Sequence, residues 1–595
     1  MIIIFIALIL FITLIYIDNK KTLNEIRHLN RIVLYDKDNK PFYETNNMHE
    51  GSYLEDKEIP SMIKKIFIHS EDKNFYKHNG FDIYRISSSM LHNSTSGAST
   101  ITQQLIKNLY FTNNRSYLRK TKELYLSMRL EAIYTKNEIL EAYFNTLYFN
   151  HNIYGIKDAA SFYFNKDVYS LSISEITILA NIIKNPTLFS PLLNYERVLI
   201  KRNYLLQSLY KAKIINSDEL QEATLDRPTV SGIKASLYSD GILYYKDIVL
   251  NELKALKIKK DFNQTIKVKT QFNTSLDKLI SSEKAKFSSD ISIIVTDQNG
   301  YYNAILGGKD YQSSTLNIAI DGTRQVNSTI KPLLYYYALE NGYTPLSLFS
   351  GNKVSFHING VKMNFSNSGD IYENTLIPMA YALATSDNMY ALKLHTALNF
   401  KGITSMLNRF NIKSTPHIQQ AIGNVSMSFS NLMQIYHSFQ TLGIYHEFKA
   451  VNEVTVDKKL VFKNYNEDKR VLNKSTTYVL NEMMTLMFDN QLNHKRKVTG
   501  SKIASRLNFK VAGKSGSSST DSYMIGFNPE VLIGIWVGDD ELTKLESFLP
   551  KDLFSTIFNF LATKNTWYNL ESDVVYEYVK VNTFSEYRRN IAFKK

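Results

Sequence analysis

The sequence contains no cysteine, and its 595 residues include only 2 Trp and 11 Pro. The absence of cysteine excludes disulfides and thiolate zinc sites. It does not locate the protein, because chains without disulfides function both in reducing interiors and outside the cell. Long disorder is not predicted either, since 44% of residues are hydrophobic and 21% are charged. We therefore expect ordered structure nearly throughout.

Acidic residues are in deficit, with 56 Asp and Glu against 70 Lys and Arg, a formal net charge of +14. Such a balance favours an anionic partner: nucleic acid, anionic lipid or a substrate that carries phosphate. A solvated surface rich in lysine would give the same total. The charge alone does not decide between these explanations.

A long uncharged apolar run occurs at residues 2 to 17, IIIFIALILFITLIYI. It is slightly shorter than the roughly 20 residues of a usual membrane-spanning helix, but within the tolerated range. A cleaved signal peptide is the alternative, although no A-x-A-like site follows the run. We interpret residues 1–20 as a single-pass transmembrane anchor, which predicts a cell-membrane location.

The length favours two large domains with connectors. Apolar residues at three- and four-residue spacing predict a mostly helical domain over residues 51–220, behind a polar connector over residues 21–50. ISIIVTD and YYNAILGG, joined at Asn299-Gly300, predict a β-hairpin, and three more strand candidates follow in FKVAGKSGS, SYMIGFN and VLIGIWVG. The expected class is α+β, with a linker region at 221–285, an antiparallel sheet flanked by helices at 286–565 and a tail at 566–595.

Three short motifs in the second domain suggest one acyl-transfer site: Ser328-Thr-Ile-Lys331, Ser386-Asp-Asn388 and Lys514-Ser515-Gly516. Ser-x-x-Lys alone is weak, because it also begins at Ser61, Ser70, Ser208, Ser231, Ser275 and Ser281. The Ser328 copy differs because it begins an apolar helix candidate, PLLYYYALE, that places serine and lysine on one face.

The residue types in these motifs suit nucleophilic catalysis. A lysine desolvated beside a serine has a lowered pKa and can accept the nucleophile's proton. Ser386 and Asn388 would relay a proton and hold the substrate backbone, while Lys514 would bind a carboxylate. Gly516 lets a peptide approach, and the N–H groups of Ser328 and Ser517 would form an oxyanion hole. The alternative is that Ser328 only caps a helix and Lys514 is a surface charge.

This order and spacing resemble the penicilloyl-serine transferase superfamily. The resemblance extends to LGGKDYQSSTLNIAIDGTRQVNSTIKP and AGKSGSSSTDSYMIGFNPEVLIGIWVGDD. The usual Lys-Thr-Gly-Thr reads Lys514-Ser515-Gly516-Ser517 here, which keeps both hydroxyls. The resemblance implies that Ser515, Gly516 and Ser517 bind substrate, and that acyl transfer needs no cofactor.

The helical domain carries EDKNFYKHNG, GASTITQQLIKN, RKTKE and KNEILEAYFN, in which acids lie among clustered Lys and Arg. Glycosyl transfer from a lipid diphosphate needs a carboxylate base and cations for the leaving group. A divalent metal, Mg or Mn, is compatible with this chemistry, but its ligands are not predicted. Glu71 and Glu123 in ordinary ion pairs are the alternative.

These segments resemble, in order, the motifs of the peptidoglycan glycosyltransferase family, whose domain is lysozyme-like. The resemblance implies that Glu71 is the general base on the acceptor 4-hydroxyl of lipid II and that Glu123 acts near the diphosphate. Gly97-Ala98 departs from the two glycines usual there. The residues implied to bind saccharide and phosphate are Phe75, His78, Thr100, Gln104, Lys107, Arg119 and Lys184.

Both domains on one chain are similar to class A penicillin-binding proteins. This similarity implies a bifunctional cell-wall synthase whose partners are lipid II, nascent peptidoglycan, the lipid bilayer and cell-wall synthesis or division proteins, and not nucleic acid. Leu109 to Leu118 is expected to touch the bilayer surface. Two alternatives remain open: a penicillin-binding sensor or scaffold without turnover, and a hydrolase in which water deacylates Ser328.

Overall fold

The fold is described from a computed structural model. It describes residues 31–45, 53–82, 99–110, 117–151, 153–231, 238–256, 258, 265–311, 313–358, 360–465, 467–538 and 549–595. The predicted anchor, the Gly97-Ala98 pair and most of the 109–118 segment lie outside these ranges. Within them, no helix combines the length and the apolar character needed to cross a bilayer.

Two compact units divide the chain. The N-terminal unit comprises Met1–Ile32, Glu44–Leu237 and Lys259–Ile266, and the C-terminal unit comprises Val33–Tyr43, Tyr238–Ile258 and Lys267–Lys595.

The N-terminal unit is helical, as predicted. Its described α-helices are α1 Ser61–Glu71, α2 Ile101–Tyr110, α3 Tyr117–Ile133, α4 Lys136–Thr146, α5 Ile156–Phe164, α6 Ile173–Ile182, α7 Tyr195–Lys211 and α8 Ser217–Leu225. Helix α2 packs on α3 and α4, α1 packs on α6, and α6 packs on α7. Their apolar faces form one core that includes Phe67, Leu105, Tyr143, Ile178 and Leu206.

Local sequence fixes where several of these helices begin. Thr135 before α4, Ser172 before α6 and Asn216 before α8 each accept the N3 backbone N–H, and an N3 glutamate bonds back to the cap. These capping boxes satisfy two orphan backbone donors per helix. Helix α6 ends at Ile182, ahead of Asn185-Pro186 and Ser190-Pro191, because proline disfavours a helical conformation of the residue before it.

The C-terminal unit contains ten α-helices in the described ranges: α9 Asp240–Ala255, α10 Thr274–Lys284, α11 Ile318–Asp321, α12 Lys331–Glu340, α13 Met379–Ala384, α14 Asn388–Ala397, α15 Gly402–Arg409, α16 Phe429–Gln440, α17 Lys474–Thr485 and α18 Leu549–Leu561. The strands that the described residues form are β1 Arg31–Tyr35, β2 Pro41–Thr45, β3 Thr265–Lys269, β4 Asp290–Asp297, β5 Tyr302–Leu306, β6 Thr323–Gln325, β7 Leu348–Ser350, β8 Ser355–Ile358, β9 Val361–Asn364, β10 Leu376–Pro378, β11 Ser426–Ser428, β12 Ile444–Tyr445, β13 Glu453–Val456, β14 Lys459–Lys463, β15 Lys469–Arg470, β16 Ala512–Ser517, β17 Asp521–Phe527, β18 Val531–Gly538, β19 Val574–Lys580 and β20 Arg588–Lys594.

The central sheet has the order β16-β17-β18-β4-β5 and is antiparallel throughout. This confirms the predicted β4–β5 hairpin and the three later strands. Every residue of β17 and β18 is buried, so both faces of the sheet are covered. Strand β16 is at one edge, where its free side can pair with an extended peptide.

Two glycines show how helices cover the two faces. A Cβ on Gly534 would lie 2.1 Å from the sulfur of Met433 in α16, and one on Gly526 would lie 2.4 Å from the ring of Phe554 in α18. Gly526 pairs with Ile533, the residue before Gly534, so the two glycines point to opposite faces. Helices therefore pack closely on each face where a side chain is missing.

Regular structure also occurs in the three segments that we expected to be connector, linker and tail. A second five-stranded sheet has the order β14-β13-β3-β1-β2 and joins β1 and β2 to strands more than two hundred residues later. In the 566–595 segment, β19 and β20 form a hairpin beside α17, where Tyr478 and Tyr576 share a 2.9 Å hydrogen bond. These short pairs are completed by distant elements, β3 for β1 and α17 for β20, and local sequence therefore predicts them poorly.

Candidate active sites

Ser328 lies half-buried in a 3₁₀ turn, Asn327–Ile330, that leads directly into α12. Pro332 follows in the first turn of that helix, where its missing N–H costs nothing. Asn327 adopts a left-handed φ of 53°, which turns the chain sharply before the serine. The predicted helix with Ser328 at its head is thus confirmed.

Lys331 is fully buried and makes several hydrogen bonds to the Ser386-Asp387-Asn388 motif. Its Nζ donates to Oδ1 of Asn388 at 2.7 Å, to the Ser386 carbonyl at 2.9 Å and to the Ser386 hydroxyl at 3.3 Å. Burial lowers the pKa of Lys331 to about 7, while the Asp387 carboxylate acts in the opposite direction. The amine can therefore be neutral near neutral pH, as a proton acceptor requires.

The Ser386-Asp387-Asn388 motif lies at the turn from α13 to α14, and Asn388 is the first residue of α14. Ser386 has φ 55°, an uncommon conformation for a residue other than glycine. The Asp387 carboxylate caps α14 by accepting from the Tyr390 N–H at 2.8 Å. The Asn388 amide nitrogen donates to the Ser366 carbonyl at 2.7 Å, which directs its oxygen toward Lys331.

Lys514 approaches the same serine from strand β16. Its Nζ donates to Oγ of Ser386 at 2.9 Å and to the Ser515 carbonyl at 2.7 Å. Burial lowers the pKa of Lys514 well below its usual range, and the nearby charge of Lys331 adds to the effect. The Ser386 hydroxyl thus contacts two buried amines.

Gly516 is the point where β16 passes the nucleophile turn. A Cβ there would lie 3.0 Å from Cγ2 of Thr329 and 3.2 Å from the backbone nitrogen of Ser328. The strand backbone can therefore approach Ser328 only because this residue is glycine. Ser517 ends the strand next to it.

Residues that the motifs did not single out also contact this site. Asn367 accepts from the Asn388 N–H at 2.7 Å and donates to the Asp387 carboxylate at 2.9 Å. Nε of Arg496 lies 3.3 Å from the same carboxylate. Neither residue belongs to a recognisable pattern, and each reaches the site through tertiary folding, so local sequence carried no signal for them.

In the N-terminal unit, Glu71 ends α1 with its side chain mostly buried. Its carboxylate accepts from the Gln104 amide at 3.0 Å and from the Ser70 hydroxyl at 3.2 Å, and the Lys184 amine lies 3.7 Å away. Burial lowers the pKa of Lys184, although the charge of Glu71 opposes this. Three of the predicted residues, Glu71, Gln104 and Lys184, are therefore brought together.

Glu123 lies buried on α3 between two cations. Nε of Arg119 is 2.9 Å from one carboxylate oxygen and Nζ of Lys120 is 3.1 Å from the other. Lys120 also donates to the Ser99 hydroxyl at 2.7 Å. This group of one acid and two cations retains a net positive charge, which suits a phosphate-bearing ligand.

His78 and Phe75 contact the loop that follows α1. Nδ1 of His78 accepts from the Gly80 N–H at 3.2 Å, so Nε2 carries the proton and donates to the Asp72 carboxylate at 2.9 Å. Phe75 is fully buried, with the Lys136 amine 4.4 Å from its ring centroid. In this structure both side chains are engaged in packing the loop beside Glu71.

Thr100 precedes α2 and is fully buried. Its hydroxyl donates to the Gly80 carbonyl at 2.8 Å and accepts from the Gln103 N–H at 3.2 Å, which fixes the start of α2. Gln104 and the half-buried Lys107 follow one and two turns later. The Tyr143 hydroxyl donates to the Gln104 amide oxygen at 3.1 Å, leaving the amide nitrogen directed at Glu71.

Comparison with known proteins matches each of the two units to a protein family. Residues 38–210 match the transglycosylase family, and residues 291–538 match the penicillin-binding protein transpeptidase domain. The chain is 32% identical over 569 residues to penicillin-binding protein 2D of Bacillus subtilis, an alignment that covers 92% of this chain and 82% of that protein. The chain belongs to the class A penicillin-binding proteins.

Other class A relatives cover most of the chain as well. Penicillin-binding protein 4 of Bacillus subtilis is 28% identical over 590 residues, covering 89% of this chain and 90% of that protein. The crystal structure of penicillin-binding protein 1A from Haemophilus influenzae shares the fold, with a TM-score of 0.56 at 17% identity over 95% of this chain and 98% of the other.

As a class A penicillin-binding protein, this enzyme is a bifunctional cell-wall synthase and a target of β-lactams. It polymerises lipid II into glycan strands and crosslinks stem peptides through an acyl-serine intermediate, a reaction that needs no cofactor. The predicted family and both predicted activities are confirmed. The alternative of a sensor or scaffold without turnover is not favoured by these relatives.

Proposed function

We propose that Ser328 is the transpeptidase nucleophile and that neutral Lys331 accepts its proton. The serine oxygen attacks the carbonyl carbon of the penultimate D-Ala, and the bond to the terminal D-Ala breaks. The observation that carries this proposal is the burial of Lys331, whose lowered pKa leaves an amine able to take a proton at neutral pH.

The Ser386 hydroxyl then passes a proton toward the departing amine. It is suited to this step because it contacts both Lys331 and Lys514. The backbone N–H groups of Ser328 and Ser517 stabilise the oxyanion, a role that the close passage of β16 supports. The acyl group is finally transferred to the amine of a neighbouring stem peptide, which restores free Ser328.

Substrate binding at this site is assigned to strand β16. The donor peptide extends the edge of the sheet beside Gly516, and the hydroxyls of Ser515 and Ser517 hold its terminal carboxylate. The positive potential of Lys514 supports this binding from behind the strand. Asn388 holds the peptide backbone while it keeps Lys331 in place.

For glycosyl transfer, we propose that Glu71 removes the proton from the acceptor 4-hydroxyl. Gln104 and Lys184 orient its carboxylate, as their contacts with it suggest. Glu123 holds Arg119 and Lys120 toward the diphosphate leaving group. Lys107 and Lys184 add positive charge for binding the diphosphate. Phe75, His78 and Thr100 hold the loop after α1 and the start of α2 in the positions that bind the saccharide.

A divalent metal, Mg or Mn, is compatible with the proposed glycosyl transfer. The residues that the structure describes contain no group of three or more acidic or histidine side chains able to hold a metal ion. A Mg or Mn ion would neutralise negative charge on the diphosphate leaving group of lipid II.

We also propose that residues 1–20 anchor the enzyme in the cell membrane, with both catalytic domains on the outer side. The apolar run and the lipid-linked substrate support this placement. Cell-wall synthesis or division proteins are proposed as its protein partners, because polymerisation and crosslinking must be coordinated along the envelope.

Two residue-level experiments test these assignments. Mass spectrometry of the penicillin-treated protein should locate the adduct on Ser328, and Ser328→Ala should form none; an adduct elsewhere would refute the nucleophile assignment.

Glu71→Gln should abolish glycan polymer formation. The matched control is Glu175→Gln, another buried, lysine-paired glutamate of the same unit, which should polymerise lipid II. Equal activity of the two variants would refute Glu71 as the base.

A further inference from the structure

We propose that Arg496 is a positioning residue of the transpeptidase site, holding the turn that carries Ser386 and Asn388 in the conformation that receives Lys331. This inference rests on the proposed role of Lys331 and adds a residue that lies more than one hundred positions from the turn. It concerns only contacts within the C-terminal unit.

The Arg496 side chain is buried and contacts the turn at two points. Its Nη2 donates to the Thr385 carbonyl at 3.0 Å, and its Nε lies 3.3 Å from the Asp387 carboxylate. Lys331 bonds the next two carbonyls, those of Ser386 and Asp387, at 2.9 and 3.4 Å. Three consecutive carbonyl oxygens are therefore held by the buried side chains of Arg496 and Lys331.

The turn needs such support because its conformation is unfavourable in isolation. Ser386 is held at φ 55°, and a left-handed conformation of a residue other than glycine persists only when the surroundings enforce it. If the Thr385 carbonyl were released, Ser386 would be free to relax. The hydroxyl that contacts Lys331 and Lys514 would then move.

Arg496 is itself held from behind by Glu373, a buried carboxylate. Glu373 accepts from the Arg496 backbone N–H at 2.8 Å and from the Tyr381 hydroxyl at 2.6 Å, and His494 lies 2.6 Å from its other oxygen. The guanidinium also donates through Nη1 to the Ile371 carbonyl at 3.1 Å. The arginine is thus fixed at both its backbone and its side chain.

Charge gives Arg496 a second effect on the same site. The titratable and charged groups that face Lys331 are Asp387, Arg496 and Lys514, and the titratable groups Glu373 and His494 lie behind Arg496. Besides burial, Asp387 raises and Arg496 lowers the pKa of Lys331. Removing the guanidinium would leave the Asp387 carboxylate uncompensated, and both changes raise that pKa. The neutral amine would then appear only at higher pH.

The test is the rate of penicillin acylation across pH for full-length wild type, Arg496→Gln and Arg496→Lys, with thermal unfolding as the folding control. We expect Arg496→Gln to lose roughly tenfold or more at neutral pH, with the acid limb of its profile displaced upward by about one pH unit. Arg496→Lys, which keeps the charge, should keep the wild-type limb even if its rate falls.

Two results would overturn the proposal: an Arg496→Gln profile identical to wild type, or a folded Arg496→Gln variant whose rate falls equally at every pH. If Arg496→Gln does not fold, the pH–rate profile of Arg496→Lys decides alone. This variant retains the positive charge, so an acid limb displaced from that of wild type would contradict the proposal. Failure of the proposed function would look different, because wild type itself would then form no Ser328 adduct.

Discussion

Lys331 shows how one side chain depends on its surroundings for its chemistry. In water its amine would be protonated almost entirely at neutral pH. Full burial on the inner side of α12 removes the hydration that favours the charged form, and the amide oxygen of Asn388 orients the amine. The same amine on a surface helix would be only a solvated charge.

This environment predicts a pH dependence. Because the neutral amine is the active form and the pKa of Lys331 is lowered to about 7, the rate of penicillin acylation should rise as pH increases through about 7 and then level off. Stopped-flow acylation kinetics between about pH 5 and about pH 9 would measure it. A rate independent of pH in this range would contradict the role of Lys331, and Lys331→Arg, which stays charged, should be nearly inactive.

The residue before the nucleophile gives a second prediction. Asn327 has φ 53°, and its buried amide nitrogen has no hydrogen-bond partner among the residues that the structure describes. Asn327→Gly should acylate at close to the wild-type rate, because glycine adopts this conformation freely. Asn327→Val should be slower by about tenfold or more, since strain of about 1–3 kcal/mol would reshape the turn. The measurement is the acylation rate with penicillin, and equal rates for both variants would contradict this account.

At the scale of elements, the transpeptidase site depends on backbones that pass one another closely. Strand β16 passes the nucleophile turn at Gly516, and a loop after α15 passes it at Gly423. A Cβ on Gly423 would lie 2.0 Å from the backbone carbon and oxygen of Asn327. These contacts fix Ser328 between a strand and a loop that are remote from it in sequence.

Gly423→Ala should therefore displace the nucleophile turn. Gly342→Ala is a matched control, because both glycines have positive φ (99° and 85°) but nothing lies within 4 Å of a Cβ on Gly342. Each alanine carries the left-handed strain of about 1–2 kcal/mol. Only Gly423→Ala should also lose most penicillin acylation while glycan polymerisation continues. Acylation and polymerisation assays on both variants test this, and equal acylation would mean that the clash is relieved elsewhere.

Sequence patterns predicted the elements that carry their own signal. The helices of the N-terminal unit, the β4–β5 hairpin, the strands β16 to β18 and the helix after Ser328 follow from periodicity, caps and turns. Strands β1 to β3 were not predicted, because each is short and the β1–β2 pair is completed by β3, more than two hundred residues later in the sequence. The same applies to Arg496 and Asn367, which reach the site only through the folded chain.

At the scale of the whole molecule, the chain carries two catalytic units with different construction. The N-terminal unit is built from helices whose ends present carboxylates and cations, whereas the C-terminal unit sets a helix start against the edge of an antiparallel sheet. The family was predictable from the sequence because seven motifs, four in the helical domain and three in the second domain, lie in their expected order. The orientation of each side chain was not, since it depends on burial and on neighbours supplied by other elements.

Separate sites on one chain predict separable losses of activity. The most direct test measures glycan polymer and released D-Ala from lipid II with the detergent-solubilised full chain, beside Glu71→Gln and Ser328→Ala. The account predicts that Glu71→Gln makes no polymer, whereas Ser328→Ala makes polymer of normal amount but releases no D-Ala and forms no crosslinks. Wild-type protein that acylates with penicillin yet makes no polymer would contradict the bifunctional assignment.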